Sequence, residues 1–422
     1  MLGFGILIVL MVIGSPIAFA ILLAVFGHVS QTPFSFGLVS QRIFSGIDSF
    51  AILAIPLFVL AGELMNESGI TDRIIKFANA LVGHTKAGLA QVNIWASVIF
   101  AGLSGSAVAD TSALGRIFIP TMEKEGYPRD FAAALTAASS VIGPMIPPSI
   151  PVIIYALITS GVSVPALFLA GVAPGLFLAI GLSIYVRIYA GHYAPLRPKL
   201  SAKERFSAFV NAWIPLFMPI FIVGSILTGI VTPTEAAALA AGYALIAGIF
   251  ILKTLNLSRL PHIFVRAMRD SSVILIIIAV VAAANWMLTF SRVPQTISSY
   301  VLGEVTNPWV FLLMVNLILL VVGLFLEGIA AMLILLPIIH PIAMSLGIDP
   351  THFGIVVIFN LMIGLVTPPM GICLFVSNSI ANVGMGAISR RIMPLFLVEL
   401  GVLLLITFVP QTVTFIPRLF GY

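Results

Sequence analysis

The chain alternates long apolar runs with short stretches that collect its charged residues. No charged side chain occurs in 131–186 or in 350–389. Unbroken apolar runs of this kind predict membrane-spanning helices. They exclude a β-barrel, whose strands alternate apolar and polar positions. Residues 1–26 are apolar with no basic n-region, which predicts a retained first helix instead of a cleaved signal peptide. Two stretches, 34–47 and 70–83, mix apolar with polar and charged residues and are too short to cross. They read either as interfacial helices, arms linking a mobile part to a fixed one, or as surface loops.

Composition sharpens the class. Of 422 residues, 60% are hydrophobic and 8% charged, against about 25% charged in a soluble domain. That excludes a water-soluble enzyme, a nucleic-acid binder and a disordered scaffold. The expected fold is an all-α polytopic membrane protein with about 10 to 14 membrane segments. The lone cysteine, Cys373, lies in an apolar run, forms no intrachain disulfide and reads as a core residue. The six histidines are scattered without metal-ligand spacing.

Charge then gives sidedness. The formal charge is +5, and 16 of the 20 Lys and Arg residues fall in five clusters. One threading puts all five clusters on one side, which the positive-inside rule makes cytoplasmic. It requires two helical hairpins that return to the side they left, at about 88–122 and about 308–346. It also places the N-terminus in the cytoplasm and the C-terminus outside.

The longest polar loop, 191–207, divides the chain nearly in half. A shift of 221 residues aligns Gly102 with Gly323, Pro120 with Pro341, Gly126 with Gly347 and Gly143 with Gly364. It also lays Pro147 and Pro148 on Pro368 and Pro369. By the threading, 130–159 runs outward and 351–381 inward, so the halves 1–207 and 208–422 are predicted inverted repeats. Inverted repeats with broken helices are the architecture of secondary transporters.

The breaks carry the chemistry. Pro147 and Pro148 remove the partners of the Gly143 and Pro144 carbonyls, and Pro368 and Pro369 those of Gly364 and Leu365. Unpaired carbonyls in hydrocarbon are costly unless something satisfies them. With the Ser149 and Thr367 hydroxyls they form hard oxygen donors that suit Na⁺. A kink satisfied by neighbouring helices is the alternative for each break. The first hairpin tip, 104–112, has small and hydroxyl side chains and a helix N-terminus near Thr111 that suits an anion. Asp110 there reads as a helix cap or as a ligand contact. At the second tip Glu327 reads as a functional carboxylate or as a backbone hydrogen-bonding group. Asn285, Asn360, Ser377, Asn378 and Asn382 either contact substrate or bridge helices. Glu63, Glu235 and Glu399 read as lying near span ends. No GxxxxGK[ST] segment occurs, so energy comes from a gradient or from another subunit.

The segments GLSGSAVADTSALG, IPTMEKEGYPRDFAAALTAASSVIGPMIPPSIPVIIYA and LVTPPMGICLFVSNSIA resemble the large membrane subunit of tripartite ATP-independent periplasmic (TRAP) transporters. The resemblance covers essentially the whole chain. It implies a bacterial or archaeal inner-membrane permease, not an enzyme, that imports an organic acid with Na⁺ by an elevator motion of two hairpins and two broken helices. It implies two Na⁺ sites and no organic cofactor. By match, Ser104, Gly143, Ile146 and Ser149 form one site, and Gly323, Gly364, Thr367 and Met370 the other. Substrate contacts are then expected at Ser106, Asp110, Thr111, Glu327, Ser377 and Asn378. The implied partners are a separate small four-helix membrane subunit, a periplasmic binding protein delivering a carboxylate, and the lipid bilayer; no nucleic acid is expected. The competing reading is a single-component Na⁺/dicarboxylate symporter, whose Ser-Asn-Thr tip motifs are absent here. A channel or assembly scaffold has no need of two matched breaks.

Overall fold

The computed structural model describes residues 2–159 and 161–422, and these are helical wherever they are regular. The first half contains α1 (Leu2–Val12), α2 (Ile17–Val29), α3 (Phe36–Ile47), α4 (Ala54–Glu67) and α5 (Ile70–Val82). There follow α6 (Gly88–Ser104), α7 (Ala107–Lys124), α8 (Arg129–Ser140), α9 (Ile150–Ile158) and α10 (Val164–Tyr189). The second half contains α11 (Ala202–Leu227), α12 (Pro233–Ile246), α13 (Leu260–Phe290), α14 (Val293–Glu304) and α15 (Pro308–Gly323). It ends with α16 (Gly328–Ser345), α17 (Pro350–Gly364), α18 (Ile372–Ala381), α19 (Met385–Phe408) and α20 (Gln411–Leu419).

Among the described residues, seven helical stretches are long and apolar enough to cross a membrane, and five shorter apolar helices accompany them. Polar chemistry sets where several begin. Ser201 with Glu204 and Thr232 with Glu235 form capping boxes at the starts of α11 and α12. The expected hairpins are α6–α7 and α15–α16. The expected broken helices are α8–α9 and α17–α18, and the Pro147–Pro148 and Pro368–Pro369 peptide bonds within them are cis. The two amphipathic stretches are the helices α3 and α5. Helix α3 packs along α13, and α5 packs against α6 and α11.

The second half of each broken helix crosses to the other repeat. Helix α18 packs on α7 and α8, while α9 packs on α16 and α17. On one side the Cys373 thiol neighbours Thr111, and a methyl group on Gly115 would stand 3.1 Å from Ile380 Cδ1. On the other, the Tyr155 hydroxyl lies 3.1 Å from His340 Nδ1 and donates to the Pro350 carbonyl at 3.4 Å. Helices α10 and α19 close the block, α10 against α6, α17 and α19, and α19 against α8 and α17. Helices α4, α11, α12 and α13 form a second group, in which α4 is paired with both α12 and α13.

Three expectations change. The first apolar segment is two helices, because Gly14, Ser15 and Pro16 interrupt it. Helix α1 folds back on α2, so that Gly3 abuts Ala24 and His28. The one helix expected over 1–26 is therefore a packed pair. Glu399 is not near a span end but in the middle of α19, fully buried, with neither carboxyl oxygen hydrogen-bonded among the described residues. The first tip's helix begins at Ala107, not near Thr111.

Candidate functional site

Each hairpin tip lies against the break of its own repeat. In the first repeat the turn between α6 and α7 is made by Gly105, with φ at 59°. A methyl group there would stand 2.6 Å from the Pro148 carbonyl oxygen, so the turn needs both the left-handed conformation and the missing side chain. Ser106, not Asp110, caps α7: its hydroxyl accepts from the Ala109 amide at 3.4 Å. That frees Asp110 for another role. Its carboxylate accepts a hydrogen bond from the Ser104 hydroxyl, and its other oxygen has no partner among the described residues. Asp110 is fully buried, and a methyl group on Gly143 would stand 3.1 Å from its carboxyl carbon. Ser104, Asp110 and Gly143 thus meet at the first break.

The second repeat reaches the same place differently. Gly323 ends α15 and lies against Gly364 at the end of α17. Glu327 is the cap of α16; its carboxylate accepts from the Ala330 amide at 3.1 Å. A methyl group on Gly328 would touch the Leu361 carbonyl oxygen at 3.4 Å, which brings this tip down onto α17.

The breaks are better satisfied than proline chemistry alone predicts. The Gly364 carbonyl accepts from the Thr367 amide at 3.2 Å and the Leu365 carbonyl from the Cys373 amide at 3.0 Å. The Pro144 carbonyl accepts from the Ser149 hydroxyl. Of the four carbonyls expected to be free, only that of Gly143 has no donor among the described residues. It lies in the first break, in a residue whose Cα faces the unpartnered Asp110 oxygen. Thr367 donates its hydroxyl to the Ile363 carbonyl at 2.8 Å and keeps its lone pairs. Ile146 packs into α10 at Gly175, and the Met370 side chain is half exposed; the hard donors and acceptors of both residues are their backbone atoms.

Of the remaining expected contacts, Thr111 is fully buried, donates to the Ala107 carbonyl at 2.8 Å and faces α18 beside Cys373. Ser377 is buried and donates to the Leu374 carbonyl at 3.0 Å. The Asn378 side-chain Oδ1 accepts from the Gly384 amide at 3.0 Å, at the far end of α18 from the tips. Asn360, read from the sequence as a substrate contact or a helix bridge, is a bridge to Asn316, and two further buried polar pairs behind the tips, Asn93 with Thr136 and Ser97 with Ser139, were not singled out in the sequence. Their signal was a polar residue in an apolar helix, which spacing alone does not pair.

Residues 4–412 match the family model described as "Tripartite ATP-independent periplasmic transporter, DctM component". The chain is 40% identical over 412 residues to the sialic acid TRAP transporter large permease protein SiaM of Vibrio cholerae, covering 97% of this chain and 96% of that one. It is 36% identical over 433 residues to the C4-dicarboxylate TRAP transporter large permease protein DctM of Rhodobacter capsulatus, covering 99% and 98%. The fold is similar to that of the Alcanivorax borkumensis YdaH transporter, with a TM-score of 0.63 at 14% identity over 91% of this chain and 89% of that one. With its helices and its two tip-to-break contacts accounted for, this multi-pass membrane chain belongs to the DctM component family of tripartite ATP-independent periplasmic transporters.

Proposed function

We propose that this chain is the Na⁺-coupled import path for an organic carboxylate, which a periplasmic binding protein delivers at the bacterial inner membrane. A small membrane subunit braces the frame. The observation that carries the reading is the first tip-to-break contact. There one fully buried Asp110 oxygen lacks a partner among the described residues, the other accepts from the Ser104 hydroxyl, and the Gly143 backbone abuts the carboxylate. Unpartnered hard oxygens at such a depth suit a small cation. Ser104, Gly143, Ile146 and Ser149 hold one Na⁺, with Asp110 beside them, and Gly323, Gly364, Thr367 and Met370 hold the other. Ser106 and Thr111 face the anion from the first tip, Glu327 borders it at the second, and Ser377 lines the α18 side.

The halves 1–207 and 208–422 act as inverted repeats. Helices α6–α10 and α15–α19 move as one block against a frame of α4, α11, α12 and α13, and the arms α3 and α5 absorb the motion. The block has a physical basis in the exchange of α9 and α18 between repeats, since neither repeat can slide without the other. Sialic acid and C4-dicarboxylate are named for the two relatives, and both are carboxylates, which supports a carboxylate substrate here. A single-component symporter is not favoured, because the whole-length match is to a component of a tripartite system.

The test is reconstitution. Proteoliposomes with this chain, its small subunit, a cognate binding protein and an inward Na⁺ gradient should concentrate a carboxylate. Omitting any one should abolish uptake. Full uptake by the chain alone, or uptake indifferent to Na⁺, would overturn the reading.

A further inference from the structure

Each repeat carries a buried polar pair deeper than its tip; under the 221-residue shift Ser139 aligns with Asn360, while Ser97 and Asn316 stand two positions out of register. In the first, the Ser97 hydroxyl of α6 donates to the Ser139 hydroxyl of α8 at 3.0 Å. In the second, the Asn360 amide of α17 donates to the Asn316 side-chain oxygen of α15 at 2.9 Å and to its backbone carbonyl at 3.0 Å. Ser97 stands seven residues before Ser104, the last residue of α6, and Asn316 seven before Gly323, the last of α15. Ser139 stands four before Gly143, and Asn360 four before Gly364. Each pair therefore lies about two turns below its hairpin tip and about one turn below its break.

All four residues are buried. In an apolar interior a hydrogen-bonded pair fixes one separation and one register between two helices, because any slip leaves a donor or acceptor unmatched. Dispersion between Leu and Val tolerates such a slip. Each pair has its own buttress. Asn93 of α6 donates to the Thr136 hydroxyl at 2.8 Å. Asn316 donates to the Thr407 hydroxyl of α19 at 2.9 Å, tying the second pair to the helix that closes the block. The tips above have no such cross-link of their own in the second repeat, where Gly323 and Gly364 meet without side chains.

We propose that Ser97–Ser139 and Asn316–Asn360 are positioning pairs. Each sets the spacing between a hairpin tip and its broken helix, and thereby the affinity of the cation site that the two share. The ion belongs to the function proposed above; the geometric role does not depend on it. The second pair matters more, since its amide makes two bonds where the first makes one and since its tip has only backbone to hold it.

The test uses the complex of this chain with its small subunit. Spin labels at Phe325→Cys and Phe375→Cys, both at least half exposed, report the distance between the second tip and the helix that follows its break. The native Cys373 is buried. Asn360→Ala should broaden that distribution and raise the Na⁺ concentration for half-maximal uptake about tenfold, with the maximal rate kept at saturating Na⁺. Asn316→Ser with Asn360→Ser, which copies the first repeat's pair, should recover part of both effects. Lower thermal stability with an unchanged distribution and unchanged Na⁺ dependence would overturn the positioning role. A broadened distribution in a complex whose uptake ignores Na⁺ would support the role and sink the Na⁺ reading instead.

Discussion

Gly323 and Gly364 meet backbone to backbone. A methyl group on Gly364 would stand 2.9 Å from the Gly323 Cα, and one on Gly323 would stand 3.2 Å from the Gly364 Cα. No side-chain rotation can relieve either contact, because the obstacle is main chain. The second tip therefore rests on its break only while both positions lack a Cβ.

Gly364→Ala should push α15 away from α17. Overpacking of this kind costs about 1–3 kcal/mol. The expected result is a folded complex with a lower melting temperature and strongly reduced Na⁺-dependent uptake. A variant with wild-type uptake and wild-type melting would remove the contact from the site.

Thr367→Val keeps the shape of the side chain and removes one oxygen. Its hydroxyl now donates to the Ile363 carbonyl, and the variant also loses that bond. The expected cost is about 1–3 kcal/mol in apparent Na⁺ affinity, with uptake partly recovered at high Na⁺. Unchanged Na⁺ dependence would exclude Thr367 as a ligand.

Sidedness follows from the basic clusters and can be read with one thiol. Lys199 is exposed in the loop 191–201, and the native Cys373 is buried. In intact cells Lys199→Cys should resist impermeant thiol reagents and react once the membrane is opened. Labelling from outside would invert the topology.

A charged staple holds one end of the block together. Arg391 of α19 donates to the Asp130 carboxylate at 2.9 Å and to the Tyr189 hydroxyl at 2.5 Å, joining α8, α10 and α19. Both charged partners are partly exposed, so the pair contributes modestly. Arg391→Ala should lower the stability of the complex by about 1–2 kcal/mol. Adding Asp130→Asn should cost little more, and a double-mutant cycle on thermal unfolding measures that coupling. Fully additive losses would show that the two side chains do not act as a pair.

Backbone chemistry and apolar length alone determined where the helices run and where they break. Proline has no N–H, so Pro147, Pro148, Pro368 and Pro369 interrupt α8–α9 and α17–α18 whatever surrounds them. The hairpins were legible because charge must stay out of hydrocarbon, which left few ways to thread the basic clusters. Only the tertiary structure decided how the broken ends are satisfied. The donor to the Leu365 carbonyl is the Cys373 amide, and the donor to the Pro144 carbonyl is the Ser149 hydroxyl, choices set by how each loop folds back. The pairing of Asn316 with Asn360, the meeting of Asp110 with Gly143 and the crossing of α18 onto α7 join residues 33 to more than 250 positions apart. Periodicity within one helix carries no record of such neighbours. The folded block brings them together, because a polar group buried in an apolar interior is stable only opposite a partner that another helix supplies.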